Sequence, residues 1–96
     1  MEIREFQDKI KRLYFSRDSQ RGRDATFLWL VEEMGELSKA LRRNDSENIK
    51  EELADVVAWS ASLANILNLD LETILYEKYK EKCFYCGESP CVCKKK

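Results

Sequence analysis

Two short stretches carry acids at a spacing that chemistry can use. In VEEMGELSKA (31–40), Glu33 and Glu36 stand three apart with Glu32 beside them; in EELADVVAW (51–59), Glu52 and Asp55 repeat the spacing. On a helix, residues three apart share a face. Clustered anions repel one another and are costly to desolvate without counter-charge. Lys39 can neutralise one of them, not the set. A divalent cation is the simplest remedy, and donors that are all oxygen point to Mg²⁺, with Mn²⁺ able to substitute. The chain has no histidine, which excludes imidazole bases, His-activated nucleophiles and the Glu-x-x-His ligands of di-iron bundles. A second cluster, CFYCGESPCVC, sets Cys83, Cys86, Cys91 and Cys93 close together. Four thiolates suit tetrahedral Zn²⁺; disulfides and free thiols are the other readings.

The acids are useful only if the elements carrying them meet. Apolar residues recur at helical spacing in four segments. Helix one is expected over about residues 2–15, with Ile3, Phe6, Ile10, Leu13 and Tyr14 on one face. SRDSQRGRD then reads as a polar break containing three arginines. Asp24 is the expected N-cap of helix two, whose stripe is Phe27, Leu30, Val31, Met34, Leu37 and Leu41. After the turn RRNDS, Ser46 is placed to cap helix three, with Ile49, Leu53, Val56, Val57, Ser60, Leu63, Ala64 and Leu67 on its stripe. Asp70 caps helix four, which carries Leu71, Ile74, Leu75 and Tyr79 and continues to about Lys82. Short loops between helices imply an all-α, antiparallel four-helix bundle.

Folding helices two and three back about Asn44 and Asp45 brings the acid pairs to one level. Glu36 stands against Glu52, and Glu33 against Asp55, each rung matching within about 1.5 Å of helix rise. One turn farther from the loop, Trp29 and Trp59 extend the two stripes at matching levels. Glu32 points away from this shelf, as a second-shell acid or a plain surface one.

Composition bounds the alternatives. Ninety-six residues make one domain, and 36% charged with 44% hydrophobic residues is a globular balance. A net charge of −1 gives no footprint for nucleic acid. No apolar run is long enough for a membrane span, and MEIREFQDKI is amphipathic, unlike a signal peptide. A cytoplasmic protein is expected. So small a chain buries only about 60–70% of its unfolded surface. Its outer faces carry more apolar residues than a monomer hides, so a homodimer or homotetramer is expected to complete the bundle.

The segment EEMGE, fifteen intervening positions, then ELAD, resembles the EExxE…ExxD signature of the MazG-like nucleotide pyrophosphohydrolases, across about residues 20–82. The resemblance implies an all-α, oligomeric enzyme in which Glu33, Glu36, Glu52 and Asp55 bind Mg²⁺. Its reaction would cleave a nucleoside triphosphate to monophosphate and pyrophosphate. The position of Trp59 is aromatic in some relatives and packs on the nucleobase there; Trp29 joins it here, and plain burial in the core is the equal alternative for both. Relatives also bring a basic helix-four segment to the phosphates. EKYKEK offers Lys78 and, more loosely, Lys82, without that segment's Asn and Arg. Arg21 and Arg23 are further phosphate candidates, or solvated loop charges.

Cys-x-x-Cys-Gly resembles half of a zinc knuckle, and the tail is not part of the family signature. Residues 1–82 are thus expected to form the helical catalytic domain. Residues 83–96 are expected to form a staple pinning the end of helix four, closing on a solubilising KKK. The rival function is a non-catalytic helical interaction module with a zinc-stabilised tail.

Overall fold

The computed structural model describes residues 2–94. Four helices follow one another: α1 (Ile3–Arg21), α2 (Arg23–Arg42), α3 (Ser46–Ile66) and α4 (Leu71–Lys78), with no strand among the described residues. The long helices α2 and α3 fold back on each other across the turn at 43–45, α1 packs on both, and the short α4 rests on the start of α1. Lys95 and Lys96 of the terminal lysine run lie outside the described residues.

Several boundaries differ from the sequence expectation, each for a local reason. α1 does not stop at Phe15 but runs on to Arg21. Nothing in SRDSQR breaks a helix; the stop is Gly22, at φ 89°, a backbone conformation that side-chain-bearing residues rarely adopt. Gly22 ends α1 and begins α2 at once: its N–H donates to the Asp18 carbonyl at 2.9 Å, and its carbonyl accepts from Thr26 N–H at 3.1 Å. Asp24 therefore lies inside the first turn of α2 and is not its cap. Asp45, not Ser46, caps α3, its carboxylate accepting from the backbone N–H of Asn48. Asn44 reaches Asp45 through a left-handed turn at φ 54°. Asp70 caps α4 as expected, accepting from Thr73 N–H. α4 closes at Lys78 instead of Lys82, because Tyr79 is extended and no buried face calls the helix onward.

α1 is fixed to the far end of the bundle by polar contacts. The Gln7 amide donates to Asn65 Oδ1 at 2.9 Å and to the Leu69 carbonyl at 2.7 Å, while its oxygen accepts from Leu71 N–H at 2.8 Å. All of this is buried or partly buried, so the amide is held where an unpaired one would be costly. Arg4 adds ion pairs to Asp70 and Glu72.

The hydrophobic core of the single chain is thin. Among the described residues, only Ile10, Ala40, Ala61 and Ala64 are buried apolar residues. The stripes of α2 and α3 split: Leu30, Leu37, Val56 and Leu63 are half-buried between the helices, while Phe27, Val31, Met34, Leu53 and Val57 remain about half exposed.

Candidate metal centre

α2 supplies Glu33, and α3 supplies Glu52 and Asp55 from adjacent turns of one face. One carboxylate oxygen from each lies within 4.8 Å of the others. Corners of a Mg²⁺ octahedron stand about 2.9 Å apart when adjacent and about 4.2 Å when opposite, so the three oxygens must draw together to share one ion. Oε2 of Glu52 is buried without a hydrogen-bond partner. None of the ion pairs among the described residues reaches these three acids. The site thus gathers negative charge and offers it no counter-charge.

Glu33 registers the strain of this arrangement. Burial, then a hydrogen bond with Glu52 and the charges of Asp55 and Glu52, push its carboxyl from the ordinary 4.5 up to about 7. A raised carboxyl destabilises the ionised fold: stability held below pH 4.5 is lost as the pH rises through about 7. A cation among the three acids would remove that loss. Hard oxygen donors, a buried unpartnered oxygen and uncompensated charge all fit a divalent ion of the Mg²⁺ kind.

The remaining acids are placed elsewhere. Glu36 does not converge with the three; its carboxylate is half exposed and faces Lys39 at 3.8 Å. Lys39, the one nearby base the sequence offered, is thereby engaged outside the cluster. Glu32 lines a shallow surface hollow with Ala25, Leu28 and Trp29.

Beside the carboxylates, a pocket of about 300 Å³ opens between α1 and α3, and Asp55 belongs to both. Trp59 forms part of its wall and stacks on Trp29, the ring centroids 6.0 Å apart and the planes 16° from parallel. The two tryptophans, matched in level by sequence, therefore meet. The guanidinium of Arg21 lies 4.7 Å over the Trp59 ring. Arg21 is no loop charge: it ends α1 and pairs with Asp18 Oδ1 at 2.9 Å. Arg23 makes only a surface pair with Asp24. Lys78 lies over the Tyr79 and Phe84 rings, at 5.5 and 5.4 Å, and Lys82 is exposed beyond the end of α4.

Asp18, Tyr14 and Arg17 also line the pocket; the sequence places Tyr14 on the apolar face of helix one and none of the three at a site. The signal was available: Gln7, Ile10, Tyr14, Asp18 and Arg21 continue one helical face, spaced three or four apart. The polar types at the end of that series hide it, since they resemble a break between helices. Asp18 is in fact only 2% exposed.

An all-helical chain that brings acids from two adjacent helices together beside an aromatic-walled pocket has the arrangement expected of a helical hydrolase domain. Residues 21–86 match the model of the MazG nucleotide pyrophosphohydrolase domain, and the chain belongs to that family. No curated protein matches it. Family membership implies nucleotide pyrophosphohydrolase activity in general, and no helix among the described residues is long and apolar enough to cross a membrane.

Proposed function

We propose that the protein hydrolyses nucleoside triphosphates to the monophosphate and pyrophosphate with Mg²⁺, clearing unwanted nucleotides from the cytoplasmic pool. One observation carries this: Glu33, Glu52 and Asp55 converge without a cationic partner at the edge of a pocket walled by Trp59. Glu33, Glu52 and Asp55 would hold the ion, with Glu36 one turn away available to bind through water. An ion held there would supply positive charge to offset the negative charge that develops on the phosphates as the bond breaks. The chain's own residues do the rest. The Trp59–Trp29 stack gives an apolar wall for the base, and Arg21 and Arg17 line the same pocket as cations able to meet phosphate or ribose oxygens. Arg21 is held in place by Asp18 before any substrate arrives, so little side-chain freedom is lost on binding. Water adds to one phosphorus of the α–β anhydride, the bond from that phosphorus to the bridging oxygen breaks, and the proton the water loses passes to solvent, giving monophosphate and pyrophosphate.

The test is a panel of canonical and damaged ribo- and deoxyribonucleoside triphosphates, assayed for pyrophosphate with and without Mg²⁺. Release from at least one, dependent on the ion, is the expected result. Silence across the panel, with no Mg²⁺ uptake by calorimetry, would leave the non-catalytic helical module as the better description.

Assembly belongs to the same proposal. Phe27, Val31 and Met34 on α2 and Leu53 and Val57 on α3 are apolar residues that one chain leaves about half exposed. A second copy covering them would supply the buried area that the thin core lacks. Sedimentation at micromolar concentration should give the mass of a dimer or tetramer, and Val57→Glu should shift it toward one chain. A wild-type mass of one chain would contradict the proposal.

A further inference from the structure

Residues 83–93 have no apolar core of their own. Phe84, Tyr85 and Val92 are 60%, 78% and 67% exposed, yet the chain there adopts a defined double turn. Gly87, at φ 75°, lets it reverse; Gly87 N–H donates to the Cys83 carbonyl and Cys83 N–H to the Glu88 carbonyl, both at 2.9 Å. The reversal carries four sulfurs, those of Cys83, Cys86, Cys91 and Cys93, within 4.8 Å of one another.

Their arrangement is that of ligands. Sγ of Cys83 and of Cys93 are 3.7 Å apart and unbonded. The edge of a tetrahedron with metal–sulfur bonds of about 2.3 Å is about 3.8 Å. Backbone N–H groups also point at the sulfurs: Tyr85 N–H donates to Cys83 Sγ at 3.4 Å, and Cys93 N–H to Cys91 Sγ at 3.3 Å. Such donors orient a thiolate and offset its charge, the part that outer-shell groups play around metal ligands. Four soft donors gathered within 4.8 Å of one another select zinc or iron over the hard ions suited to the carboxylates. Zn²⁺, with no geometric preference from its d-electrons, best tolerates the unequal halves Cys-x-x-Cys and Cys-x-Cys.

We infer that Cys83, Cys86, Cys91 and Cys93 form a closed site for one Zn²⁺, which folds residues 83–93 and leaves the helical body independent of it. With four protein ligands no position stays open for water or substrate, so the site is structural. The family match ends at residue 86, so two of the four ligands lie beyond it and the site is an addition to the family domain. Only the cation–π contact of Lys78 with Phe84 joins the cluster to α4 among the aromatic contacts of the described residues. Zinc therefore acts locally, since its binding is the folding of this segment.

The full chain, purified in reducing buffer without added metal and dialysed, should retain one zinc per chain by elemental mass spectrometry. Cys86→Ser and Cys91→Ser should each retain less than a tenth of that while keeping wild-type helical circular dichroism. A strong chelator should free four titratable thiols per chain and abolish amide-exchange protection in residues 83–93 alone. Four reactive thiols without zinc, a mass lowered by disulfide formation, or iron in place of zinc would each overturn the assignment. Loss of protection in α1, α2 and α3 on chelation would overturn the claim that the helical body is independent.

Discussion

Glu52→Gln or Asp55→Asn should lower pyrophosphate release by on the order of 10³-fold while the helices stay folded. Both residues sit on α3 with Glu33 opposite, and each substitution keeps volume while removing one negative charge from a set that has no counter-ion. The same change that disables the site should therefore relieve it. In the metal-free wild type, Glu33 is held up to about 7 by burial, by its hydrogen bond with Glu52 and by the neighbouring charges. The contribution of Glu33 to stability is accordingly full below pH 4.5 and is lost as the pH rises through about 7. Glu52→Gln removes one of the charges responsible, so Glu33 should titrate closer to its ordinary value and the loss between pH 5 and about pH 8 should shrink.

Excess Mg²⁺ should reverse the order. An ion that binds only the folded protein stabilises it in proportion to its affinity. The wild type should then melt higher at neutral pH, and the variants should gain less. Melting curves at both pH values, with and without Mg²⁺, read alongside the assay, decide the matter. Variants that unfold would make these acids structural. Variants that keep full turnover would move the chemistry away from Glu33, Glu52 and Asp55.

The fold was legible where side chains obey the simple rule of apolar inward and polar outward. Leu30, Leu37, Val56 and Leu63 mark the facing stripes of α2 and α3, and those two helices fall where their spacing puts them. The rule fails at Asp18, a charged residue facing inward because Arg21 travels with it; hence α1 runs six residues past the expected end. It fails again at the cap of α3, where Asp45 and Ser46 are adjacent and both chemically able. Only the backbone turn set by Asn44 decides between them. At the site, register brought Glu33 to Asp55 and Trp29 to Trp59. What spacing cannot convey is a rival partner: Glu36 is as well spaced as Glu33, but Lys39 lies on its next turn and engages it. Tyr14 is legible as a residue of the apolar face of α1 but not as a pocket residue, because a pocket between α1 and α3 is a property of packing, not of either helix alone.

The largest stability effect should come from Asp18→Ala. Asp18 is 2% exposed, and its Oδ1 accepts from the Arg21 guanidinium at 2.9 Å. Arg21 also donates to the Thr26 hydroxyl at 3.3 Å and lies over Trp59, so one buried carboxylate sets the position of a cation that three elements share. Truncating it leaves that cation partly buried with no counter-charge, a loss of about 3 kcal/mol or more. Against a total stability of roughly 5–15 kcal/mol, this should lower the melting temperature by about 12 °C or more. The pair is not itself a large source of stability, however. Oδ2 of Asp18 is buried with no partner, so the fold already bears part of the cost of desolvating this group. Removing both charges should consequently be milder than removing one: Asp18→Ala with Arg21→Met should recover part of the lost melting temperature. The recovered double variant should still bind nucleotide poorly, because Arg21 lines the pocket beside Asp55. Thermal melts of the wild type, both single variants and the double close the cycle. A single Asp18→Ala variant melting within about 2 °C of wild type, or a double variant as unstable as the sum of the singles, would show that the pair is not coupled and that Arg21 is held over Trp59 by something else.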